Sequence, residues 1–235
     1  MKNPSFLAVC IASVVTSSVS AVTLSVSYDA GVLNTTTALP GGTTNGAQMA
    51  GISVTAFFSG GTSQTGTWLA TGPIAGGVTG VGWSLIESGD TFLTSWTLNN
   101  TGGMPLTRLL IDAGPGNTVF DTIAVGSVFG TAGSNNGFSF SVISISAPDQ
   151  NDVITATYRD AIALGGAAPA GDLFRRLDIN FVNGLSAGSN VVFRADTDNI
   201  TGDLRPVRSV PDAMSTLFGL ALVSGLMASA KRFLP

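Results

Sequence analysis

From residue 22 to about residue 195 the chain is a series of short runs in which apolar and polar side chains alternate, each closed by Gly, Asn, Asp or Pro. A period of two puts one face of a run on a core and the other toward water, the pattern of a strand. Runs at 22–28, 52–58, 67–70, 81–86, 91–98, 106–112, 138–146, 153–158, 174–182 and 191–195 read this way; 119–125 fits a strand or a short helix. In 91–98, Phe92, Thr94, Trp96 and Leu98 share one face. Residues 29–50 read as loop, and 159–173 as loop with one helical turn near 160–164. About ten strands at such spacing predict an all-β domain, an antiparallel β-sandwich over residues 22–209.

That domain must stand on its own core. The single cysteine, Cys10, lies outside it, so it has no disulfide and no thiolate chemistry. It contains no lysine. Seven arginines against twelve aspartates and Glu87 leave it at −6. This balance argues against nucleic acid as a partner. The apolar content is too high for disorder.

The chain has no histidine, which removes the usual general base, the Ser-His-Asp triad and histidine-ligated metals. A Ser-Lys pair fails for want of lysine. There is no Gly-x-Ser-x-Gly elbow and no phosphate-cradling loop. With one glutamate, only an Asp/Asp or Asp/Glu pair is left for glycoside hydrolysis, and nothing local marks one. The expectation is that the domain is not an enzyme and has no catalytic residue.

Two weaker signals concern binding. Asp196, Asp198 and Asp203 lie in an Asp-rich stretch whose carboxylates suit Ca²⁺, the one cofactor such ligands would favour. Ile200 at position five and Val207 at position twelve rule out an EF-hand loop, and the competing reading is a turn whose carboxylates cap backbone N–H groups. That second reading is adopted, with no metal or other cofactor. Trp68, Trp83 and Trp96 offer rings that stack on sugars if exposed and anchor a core if buried, and core anchors are expected.

The two ends have a different texture. Residues 1–21 combine Lys2, an apolar stretch from Phe6 to Val15 and short side chains at Val19, Ser20 and Ala21, which predicts a helical signal peptide cut between Ala21 and Val22 by signal peptidase. Residues 210–235 run from Val210-Pro211-Asp212 into 18 uncharged residues at 213–230, then Lys231 and Arg232. Those 18 residues make roughly 27 Å of helix, near the lower limit for a bilayer core of about 30 Å. Lys231 and Arg232 would keep the tail on the cytoplasmic side and leave the bulk outside. The residues themselves fit a buried terminal helix, a permanent anchor in the inner membrane or a processed sorting signal.

The stretch Val210-Pro211-Asp212-Ala213-Met214-Ser215-Thr216 resembles the motif of the VPDSG-CTERM class, a variant of the PEP-CTERM sorting signals of Gram-negative bacteria. Val210, Pro211, Asp212, Ser215 and Thr216 match; Ala213 and Met214 replace Ser-Gly. The resemblance implies an exosortase-type processing enzyme as partner. Gly89–Phe92, Ile111–Asp121, Ala163–Leu173 and Ala195–Asn199 look like landmarks of an ectodomain recurrent in such exported proteins, for which no activity is established. Together these features imply a protein anchored transiently or stably in the membrane, then placed at the cell surface or outside it. The expected role is structural or adhesive, with extracellular polysaccharide as a candidate partner. The alternatives are a carbohydrate- or calcium-binding adhesive module and a glycan-active hydrolase.

Overall fold

The computed structural model describes residues 22–40, 43–122, 137–165, 171–202 and 204–206. The strands among them are β1 (Thr23–Asp29), β2 (Asn34–Thr36), β3 (Ser53–Phe58), β4 (Ser63–Thr67), β5 (Leu69–Ala70), β6 (Ala75–Gly80), β7 (Trp83–Ser88) and β8 (Trp96–Asn100). There follow β9 (Leu106–Asp112), β10 (Thr118–Asp121), β11 (Ser141–Ile145), β12 (Val153–Leu164), β13 (Leu173–Leu185), β14 (Asn190–Arg194), β15 (Asp196–Asn199) and β16 (Arg205–Pro206). The only helices among the described residues are two 3₁₀ turns, Gly114–Gly116 and Asp149–Asn151. No helix there is long and apolar enough to cross a membrane. The expected signal helix, the sorting motif and the 213–230 helix lie outside the described residues.

The strands form two sheets. The larger runs β16-β2-β12-β13-β9-β3-β4, with β1 also on β12 and the pair β10/β15 beside β13; the smaller runs β11-β14-β8-β7-β6-β5. Alternation does the folding. In β3 every second residue, Val54, Ala56 and Phe58, is buried, and in β8 Trp96 and Leu98 are. These side chains close one core with Leu109, Ile111, Leu177, Ile179, Trp83, Leu85 and Phe193 from both sheets. The result is the all-β, two-layer arrangement that the period-two runs predict.

Three expectations need correction. Among the described residues there are sixteen strands where about ten are predicted: β2 and β16 have two or three residues, too few to show a period, β4, β6 and β15 lie in Gly- or Asp-rich stretches with the texture of turns, and β10 settles 119–121 as strand. The larger sheet is mixed, since β1 and β2 both run parallel to β12. Finally, 159–164 is not a loop: β12 continues to Leu164, and its alternation breaks at Asp160, whose φ is +62°. The detour is matched on the neighbouring edge, where Val32 N–H donates to Asp160 Oδ1 between β1 and β2.

The outer face of the larger sheet carries a chain of charge perpendicular to its strands. Asp29 on β1 accepts from Arg159 on β12 (2.8 Å), Asp178 on β13 lies between Arg159 and Arg108 of β9, and the Arg108 guanidinium stands over the Phe57 ring of β3 at 4.8 Å. Arg176 pairs with Asp160 and Arg175 with Asp112.

Candidate functional site

Sequence reading puts its candidate ligands in a loop. The structure places Asp196 and Asp198 on β15, buried, with 5% and 2% exposure. β15 lies antiparallel to β10, with Asp121 opposite Asp196 and Val119 opposite Asp198. Directly opposed and alternate residues share a face of a sheet, so Asp121, Asp196 and Asp198 converge. Asp121, Asp196 and Asp198 are all buried on that face.

The turn that leads into β8 supplies the lid. Thr91 donates its hydroxyl to Asp196 Oδ1 at 2.8 Å, and the same oxygen accepts the Thr197 N–H at 2.8 Å. Asp90 begins this turn, its Oδ1 accepting Phe92 N–H and its carbonyl accepting Thr94 Oγ1. The Thr94 hydroxyl also donates to Glu87 of β7, buried on the facing sheet. The 43–48 loop completes the end of the sandwich. Asn199 N–H donates to Thr44 Oγ1 (2.9 Å), and the indole N–H of Trp68 donates to Gly46 O (2.8 Å).

Burial sets the electrostatics, since a carboxylate in a low-dielectric site is destabilised relative to its acid. Burial pushes Asp196 up to about 7; the hydrogen bond from Thr91 opposes this and nearby Asp198 and Asp90 add to it. Burial likewise pushes Asp198 up to about 6, opposed by neighbouring Asp121 and reinforced by Asp90. Glu87 is raised to about 7 by burial, opposed by Thr94 and the Gly46 backbone, reinforced by Asp90. Burial raises Tyr158 as well; its hydroxyl accepts Phe140 N–H at 2.7 Å and lies near Asp196 and Asp121.

The burial of these carboxyl groups favours their protonated forms. Among the described residues no group of three or more His, Cys, Asp or Glu is placed to hold a metal ion. Asp203 and the candidate sorting residues Val210, Pro211, Asp212, Ser215, Thr216, Lys231 and Arg232 lie outside the described residues. At the predicted signal cut, Ala21 lies outside too, while Val22 packs against the core.

The tryptophans do not form a sugar platform. Trp68, Trp83 and Trp96 are at most 1% exposed. Trp68 and Trp96 lie 5.1 Å apart in the core, and Trp96 stacks on Phe193 and donates to Ala195 O. Their rings offer no face to a ligand, because all three are enclosed in the core between the two sheets.

Sequence reasoning missed Glu87, Thr91 and Asp121 as members of one site, since 109 positions separate Glu87 from Asp196. A signal existed in part: the turn-like segments at 89–92, 111–121 and 195–199 all end here. Compared with known proteins, the chain matches no family model, no curated protein and no solved structure.

Proposed function

We propose that this chain is an exported, non-enzymatic protein with a structural or adhesive role at the cell surface or in the extracellular matrix, sorted there by residues 210–235. The observation that carries the reading is the order of Val210-Pro211-Asp212, an uncharged apolar stretch and Lys231-Arg232 in the sequence. The position of the strands supports it. β1 starts at Thr23, two residues after the predicted signal cut, and β16 ends at Pro206, before Val210. Removing residues 1–21 leaves β1 whole, with Thr23 N–H on Asp152 O at 3.1 Å.

The arginines also suit a surface without a basic binding patch. Arg108, Arg159, Arg175 and Arg176 are held in ion pairs, and Arg194 donates to Leu93 O beside the Phe138 ring.

The experiment is intact-mass and fractionation analysis of the protein from cells with and without an exosortase-type enzyme. The expected result is loss of residues 1–21 in both and loss of the C-terminal tail only where the enzyme is present. A mature form that keeps 213–235 in both strains overturns the processed tail and leaves a permanent anchor.

A further inference from the structure

We propose that the carboxyl groups of Asp121, Asp196, Asp198 and Glu87 form a proton-held latch, which ties the two sheets together at the 43–48 and 89–94 end of the sandwich and opens when the protons leave. The proposal concerns the domain and holds whatever becomes of the tail.

The geometry carries it in three steps. First, Asp121 stands opposite Asp196 across the β10/β15 pair and Asp198 follows two residues on, so three buried carboxyl groups share one face, where like charges cannot all form and protons are held. Second, Asp198 Oδ2 is buried with no hydrogen-bond donor against it. A charged oxygen so placed carries the full desolvation cost, whereas a proton on it removes the charge. Third, the cluster bridges layers. Asp121, Asp196 and Asp198 belong to the larger sheet, Glu87 to β7 of the smaller, and Thr91 and Thr94 of the intervening turn hold one of each.

The surroundings are one-signed. Among the described residues, the titratable groups beside the cluster include Asp90 from the turn before β8, Tyr158 from β12 and the buried Asp172, which precedes Leu173, the partner of Asp121 on β13. Arg108, Arg159, Arg175, Arg176 and Arg194 are engaged with Asp178, Asp29, Asp112, Asp160 and the Leu93 carbonyl. Successive loss of protons therefore places like charges side by side in a dry site. The least costly relief is to move the elements with the fewest ties to the core, the 43–48 loop and the 89–94 turn, and to let water reach β10 and β15.

The test is amide hydrogen exchange of the full-length protein, read by mass spectrometry from about pH 5 to about pH 8 and corrected for the intrinsic pH dependence of exchange. Protection of peptides covering 43–48, 89–94, 118–121 and 196–199 should fall by about tenfold per pH unit for each proton released, while β3, β9 and β13 hold theirs. In D196N/D198N, where amides replace the acids, that local slope should flatten. Should this variant fail to fold, infrared difference spectra of the wild type decide. A protonated-carboxyl C=O band that bleaches between those pH values supports the latch. Absence of the band, or protection at this end that does not change with pH in wild-type protein, overturns it.

Discussion

Arg108 holds Asp178 through two parallel bonds, Nε to Oδ1 at 2.6 Å and Nη2 to Oδ2 at 2.8 Å, and the same carboxylate takes Arg159 Nε from the other side at 3.4 Å. The contact with Asp178 raises the Arg108 guanidinium above its ordinary value. Asp178 is nearly buried while both arginines reach water. Removing the acid thus leaves two half-exposed cations whose charge solvent partly screens, and removes the join between β9, β13 and β12. D178A should cost about 2 kcal/mol and D178N less, since an amide oxygen still accepts one bond. Urea midpoints of the variants, at unchanged m-value, measure it.

Gly76 of β6 packs tightly against the 43–48 loop and against Trp68, which stands between β4 and β5. A Cβ on Gly76 would stand 2.1 Å from Gly46 O and 2.2 Å from Trp68 Nε1, with neither backbone nor indole free to yield. G76A should therefore cost about 3 kcal/mol or prevent folding. W68F keeps most of the ring but leaves the Gly46 carbonyl without its donor, a loss of about 1–3 kcal/mol. Thermal unfolding followed by circular dichroism ranks the two.

Burial of the three indoles makes an optical prediction. Tryptophan emission of the folded protein should be blue-shifted, resist quenching by iodide, and stay unchanged on addition of soluble polysaccharide. A red shift or protection from quencher on adding the sugar would contradict the placement of Trp68, Trp83 and Trp96 in the core.

The pH dependence of global stability has a defined sign. Asp196, Asp198 and Glu87 bind protons more tightly folded, at about 7, 6 and 7, than unfolded, near 4. Their stabilisation is complete below about pH 4 and is lost as pH rises through the folded values. Each unit of displacement is worth about 1.4 kcal/mol at most. The urea midpoint should therefore fall between about pH 5 and about pH 8, and D196N should make it fall less.

How far the fold shows in the sequence depends on who supplies a strand's reason. Residues 52–58 and 106–112 alternate because their own side chains line the core, and β3 and β9 appear within a residue of those bounds. Residues 91–98 alternate as well, yet only Trp96 onward is strand. Thr91 is bent into a turn to reach Asp196, a partner 105 positions away. Residues 159–164 hide their strand for the opposite reason, since Asp160 leaves the extended conformation to bind Val32 N–H. The carboxyl site was legible only as Asp196-x-Asp198 and as unexplained turns. Its meaning comes from β10, which the sequence leaves undecided between strand and short helix.

The parallel pairing of β1 with β12 has a consequence for the order of assembly. Thr23 lies beside Val153, 130 residues downstream, and the Thr35 edge is sealed by Arg205, 170 residues downstream. A chain made or threaded from its first residue must keep β1 without a permanent partner until more than half of the domain has emerged. The gap is long, so closure is slow and the bare strand is open to mispairing. One face of β1 carries Thr23, Ser25, Ser27 and Asp29, a polar set that tempers this risk while the strand waits.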